Sequence, residues 1–371
     1  MAPGGRLAAA SLAVAAVVAT GCALPAPADA DPAADTAARL TPAQLAGQLV
    51  AFGVPGTSVP PALRARIRRG EVGAVILFGR NVPSLAATRR LVARLQAIPR
   101  PAGLRAPLLV MVDQEGGQVR RLPGPPARSA AELSRSGPRA GLAAGRAAGR
   151  LLRGVGANVD LAPVAGVARR GSFLAAFGRS FGARPAHVAR MTVAFAAGLR
   201  ASGVAATAKH FPGLGSATRN TDDRPVTVPL SRATLRSVDE RPFAALVAHR
   251  VPLVMMASAT YPALDPARPA VLSSAVVGGE LRGRLGFGGV VMTDALDTPA
   301  LAPFGGTAAI AVRAAGAGND LLIYSGGGAV AGRAAGALTA AIRSGELPRR
   351  RARESVTRLL RLRAGRRLGA A

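Results

Sequence analysis

The chain has 371 residues, enough for one large domain or two small ones, and 49% of them are apolar while only 3% are aromatic and none is Trp. Such a chain builds its core mainly from Ala, Val and Leu, in many small, closely packed elements. Its formal charge of +29 comes from 48 Lys+Arg against 19 Asp+Glu, and all but one of the 48 are Arg. These are scattered rather than massed and no aromatic-interleaved motif accompanies them, so the charge reads as a bias toward Arg and no nucleic-acid partner is expected.

The first thirty residues read as an export signal. Arg6 gives a short positive region, and residues 7–18 form an apolar stretch too short to span a bilayer comfortably. The single cysteine, Cys22, follows Ala19, Thr20 and Gly21 in the manner of a bacterial lipobox, so its lipidation would tether the mature chain to a membrane. A competing Ala-x-Ala site at residues 28–30 would discard Cys22 and release a soluble protein. Residues 31–39, rich in Pro, Ala and Asp at their start, read as a linker.

From residue 40 onward, short apolar runs alternate with longer Ala/Arg/Leu segments of helical period. The predicted strands are residues 49–53, 74–78, 108–113, 158–164, 204–210, 251–258, 289–294 and 320–325. Helices are predicted at 84–97, 140–153, 186–202, 230–248 and 308–317, with an amphipathic terminal helix after Arg349. Eight βα units predict a parallel sheet closed into a single-domain (β/α)8 barrel, the TIM-barrel form of the α/β class, over residues 40–371. An open doubly wound sheet is the competing arrangement, but no G-x-G-x-x-G follows the first strand.

Polar residues with chemistry fall at the predicted C-terminal strand ends, where a barrel places its active site. In VMVDQEGGQVRRLPG (residues 110–124), Asp113 ends a strand, two glycines permit a tight turn, and Arg121 can reach back; that set suits vicinal hydroxyls. In VAATAKHFPGLG (204–215), the chain's one lysine, Lys209, adjoins His210. In GFGGVVMTDALDTPAL (286–301), Asp294 ends an otherwise apolar run, placed to attack an anomeric carbon. No His or Cys cluster has metal-ligand spacing, so neither metal nor cofactor is expected.

Together these segments resemble glycoside hydrolase family 3, in particular its single-barrel branch of β-N-acetylhexosaminidases acting on cell-wall fragments. Also matching are GAVILFGRN (73–81), VDLAPV (159–164), GRSFG (178–182), YPALD (261–265) and AGNDLLIYS (317–325). The resemblance implies that Asp294 is the nucleophile, that Asp113, Arg121, Arg179, Lys209 and His210 hold the terminal sugar, and that the protein works as a monomer on a small glycan or muropeptide.

One departure stands out. Single-barrel members usually continue as K-H-F-P-G-H-G-D-x-x-x-D-S-H, the last His being the general acid/base. Here KHFPGLGSATRNTDDRP (209–225) puts Leu214 at the first loop His, Asn220 at the Asp and Asp222 at the catalytic His. His187 and His249 fall in predicted helices and do not replace it. Either Asp222 or Asp223 donates the proton, with a pKa raised by burial or by Asp294 and the two carboxyls roughly 5–5.5 Å apart, or the barrel is a catalytically degenerate, glycan-binding protein.

Overall fold

The computed structural model describes Met1 and residues 31–365. The export signal and Cys22 therefore lie outside the described residues.

Eight parallel strands close into a barrel: β1 (Val50–Gly53), β2 (Ala74–Leu77), β3 (Leu109–Val112), β4 (Val159–Asp160), β5 (Ala205–Phe211), β6 (Leu253–Met256), β7 (Val290–Ala295) and β8 (Leu321–Ile323). Each pairs with its neighbours in sequence, and β1 closes on β8 through Val50↔Leu322 and Ala51↔Ile323. Strand side chains alternate between two apolar layers, as the period of two requires. Ala51, Ile76, Met111, Leu161, Met255, Met292 and Ile323 fill the interior, while Val50, Val75, Val110, Val254 and Val291 pack outward under the helices. The predicted strands are all present; β4 is cut to two residues because Pro163, with no N–H, interrupts the ladder.

Two helices on one flank, Gly137–Gly154 and Pro185–Ala201, pack through glycine faces. A Cβ on Gly145 would overlap the Phe195 carbonyl, and one on Gly198 the Leu142 carbonyl. The predicted helix at 230–248 is broken into Arg232–Thr234, a widened turn over Leu235–Asp239 and Arg241–Ala248. Glu240 N donates to Leu235 O at 2.8 Å, and Pro242 has no N–H with which to continue a regular ladder.

The expected linker at 31–39 is corrected to a helix, Pro32–Arg39. Its apolar stripe is covered by the terminal helix Arg349–Ala364: Ala37 is buried, and Arg353 and Arg349 donate to the Ala38 and Leu40 carbonyls at 2.9 and 3.0 Å. That terminal helix also inserts Leu359 and Leu362 beneath the barrel interior. Its buried Arg363 donates to Gln48 Oε1 at 2.7 Å and to carbonyls before β3, so the N-terminal end of the barrel is plugged.

Candidate active site

At the opposite rim lies a cavity of about 480 Å³. Its wall includes Asp113, Arg121, Arg179, Lys209, His210, Asp222 and Asp294, so these seven residues singled out in the sequence meet at one place. Asp223 is not in that wall.

The strand ends deliver them. Immediately after β3, the hairpin Gln114–Gly116/Val119–Arg120 turns at Gly116 and Gly117, whose φ values of +105° and +57° disfavour any side chain. The Arg121 N–H donates back to the Asp113 carbonyl at 3.1 Å. The Arg121 guanidinium stands 3.9 Å from the Asp113 carboxylate, measured from a buried Nε that makes no hydrogen bond.

Lys209, near the end of β5, is buried and donates from Nζ to Asp113 Oδ1 at 2.7 Å and to Glu115 Oε1 at 2.8 Å. Arg179 grips the same Glu115 with two hydrogen bonds, 2.9 Å from Nε and 2.7 Å from Nη2. Burial opposes charge on all three groups, but the opposed charges outweigh it: Glu115 is pulled down to about 2, and Lys209 and Arg179 are held above their ordinary values. The result is a fixed, fully ionised lattice beneath the cavity. Glu115 was missed as a site residue in the sequence. Its role rests on contacts with Arg179 and Lys209 that only the folded chain brings together.

His210 points into the cavity with Nε2 3.9 Å from Asp294 Oδ2, and its buried Nδ1 has no partner. Burial, with the Lys209 and Arg179 charges, holds its pKa well below the usual histidine value, so it is neutral. Asp294, at the end of β7, accepts the Ala295 N–H at 2.8 Å and keeps 21% of its side-chain surface open. Burial first, then the charge of Asp222, pushes its pKa up to about 7.

Asp222 sits in the loop at 216–225, where Asn220 holds it twice: Asn220 Nδ2 donates to Asp222 Oδ2, and the Asp222 N–H to Asn220 Oδ1, both at 3.2 Å. The residue is exposed. The burial foreseen as one way to raise the loop acid is therefore not present here. Asp297, a cavity residue not foreseen, accepts from Ser325 N and Oγ and Gly326 N and ties the loop after β7 to that after β8.

A closed (β/α)8 barrel with two electrostatically linked carboxyls beside a charged wall at its C-terminal rim has the layout of a glycoside hydrolase. The model of the glycosyl hydrolase family 3 N-terminal domain matches residues 44–362, and the chain belongs to this family. A secreted glycosyl hydrolase of Arthroderma benhamiae is 38% identical over 85% of this chain and 91% of its own length. The structure of a family 3 β-N-acetylglucosaminidase from Paenibacillus superposes with a TM-score of 0.83 at 37% identity, over 90% of this chain and 64% of that one, so this chain spans about two thirds of it. A β-N-acetylhexosaminidase from Beutenbergia cavernae gives a TM-score of 0.80 at 32% identity, over 87% of this chain and 98% of that one.

Proposed function

We propose that this chain is a retaining exo-glycosidase that removes terminal β-linked N-acetylglucosamine from cell-wall glycan fragments. The observation that carries this reading is the opening of Asp294 into the same cavity as Lys209, Arg179, Asp113 and Arg121. Those four hold the hydroxyls of the terminal sugar, and neutral His210 fixes its position beside the nucleophile. In the form of the pair whose proton sits on Asp222, ionised Asp294 attacks the anomeric carbon as the glycosidic C–O bond breaks, and Asp222 gives that proton to the leaving oxygen. Asp222 then takes a proton from water, which attacks the same carbon and releases Asp294. The N-acetyl preference rests on the names of the two structural neighbours.

Turnover of an aryl N-acetyl-β-glucosaminide by the chain and by Asp294→Ala tests the proposal. Activity that disappears in the variant supports it. Equal traces in both favour a glycan-binding protein without catalysis, a reading to which the exposure of Asp222 lends support. Residues 7–18 and the secreted relative support export, and the lipobox-like setting of Cys22 supports a lipid tether there. Cys22→Ser should move the protein from the membrane fraction to the soluble one.

A further inference from the structure

Among the described residues, only Met1 and Phe177 are large hydrophobic side chains left exposed, and Phe177, 44% exposed, stands on the cavity wall. Its place on the cavity wall puts an apolar ring where a ligand in the cavity meets it.

Local structure builds this ring into a platform. The one-turn helix Phe173–Ala176 is capped by Ser172 Oγ, which accepts from Ala175 N at 3.3 Å. Its turn brings Phe173 and Phe177 together, ring centres 4.8 Å apart and planes tilted by 45°. Gly178, at φ +62°, reverses the chain so that Arg179 returns to Glu115, with its guanidinium 5.8 Å from the Phe173 ring. Both rings line the cavity.

The platform is also fastened to the strand-end segment that leads to Asp222. Phe173 N donates to Ala217 O at 2.8 Å, and Arg169 N to Gly215 O at 2.9 Å. A proton donor must lie at the glycosidic oxygen, so the ring beyond that oxygen lies against the donor's own loop and whatever braces it. The hydroxyl-binding wall is made of Asp113, Lys209 and Arg179, whereas the two phenyl rings offer no hydrogen bond. They suit the C–H face of a pyranose whose substituents are equatorial, as in a β-linked glycan.

We infer that Phe177, backed by Phe173, is the stacking platform for the sugar on the leaving-group side of the cleaved bond, so that the preferred substrate is a disaccharide or longer. This rests on the glycosidase reading above. The test is calorimetric binding of N-acetylglucosamine and of N,N′-diacetylchitobiose to the chain carrying Asp294→Asn, with and without Phe177→Ala or Phe177→Tyr. The disaccharide is expected to bind more tightly than the monosaccharide. Phe177→Ala should cut that advantage about three- to tenfold, the worth of an aromatic contact, leave monosaccharide binding in place, and be rescued by Phe177→Tyr. An unchanged disaccharide-to-monosaccharide ratio in Phe177→Ala, with an unchanged melting temperature, overturns the subsite alone. Failure of the Asp294→Asn chain to bind either sugar overturns the sugar site and the platform with it.

Discussion

His210 Nε2 stands 3.9 Å from Asp294 Oδ2, too far for a hydrogen bond, and the imidazole is held neutral by burial and by the Lys209 and Arg179 charges. Asp294 therefore receives no cation of its own from that neighbour. Its carboxyl is left to burial and the charge of Asp222, which raise it to about 7.

The nucleophile must be ionised, so kcat/KM should rise with pH through about 7. Asp222→Asn removes the neighbouring negative charge and should move this limb to lower pH. A pH–rate profile with an activated aryl substrate, whose departure needs little proton donation, reads both shifts.

The same raised carboxyl has a consequence for stability. Its protonated form suits the folded state, so its contribution is complete below the usual aspartate value of about 3.9 and is lost as pH rises through the folded value of about 7. Asp294→Asn abolishes this dependence. The melting temperature of the variant relative to the parent should climb between pH 4 and pH 8.

Glu115 works in the opposite sense. Lys209 and Arg179 hold it at about 2, so its contribution is present above the usual glutamate range and is lost only as pH falls toward that value. Glu115→Gln leaves two buried cations short of a counter-charge, and removing one partner of a buried pair costs about 3–5 kcal/mol. Urea unfolding at pH 7 should show the loss, together with a raised KM as Lys209 and Arg179 lose their fixed positions.

Loss of the proton donor should depend on the leaving group. Asp222→Asn is expected to slow cleavage of a disaccharide by about 10²–10⁴ and to slow an activated aryl glycoside far less. A steady-state comparison of the two substrates measures the difference; equal losses on both would remove Asp222 from the donor role.

The barrel was legible because alternation of apolar runs and helical periods is a local signal, repeated eight times, and each predicted span overlaps an observed strand, that of β4 by two residues only. The strand ends carrying Asp113, Lys209, His210 and Asp294 followed directly, since a barrel fixes which end of each strand faces the site. Three features were not legible. Glu115 is fixed by partners 64 and 94 positions away, Arg179 and Lys209. Helix Pro32–Arg39 forms against a helix more than 300 residues downstream. The exposure of Asp222 depends on how its loop folds over the rim, which spacing does not encode.

Close helix packing makes a separate prediction. Gly145→Ala would drive a methyl group into the Phe195 carbonyl, and overpacking of this kind costs about 1–3 kcal/mol. Gly154, with nothing near its missing Cβ, should accept Ala without such a loss, so paired thermal melts of the two variants check the helix interface.

The central claim is that Asp294 forms the covalent bond to the sugar. Mass spectrometry of the chain quenched during turnover of an aryl N-acetyl-β-glucosaminide by Asp222→Asn, where breakdown of the intermediate is slowed, reads it directly. One added sugar mass on the peptide containing Asp294 is the predicted result. A sugar attached elsewhere, or turnover that proceeds undiminished in Asp294→Ala, would contradict it.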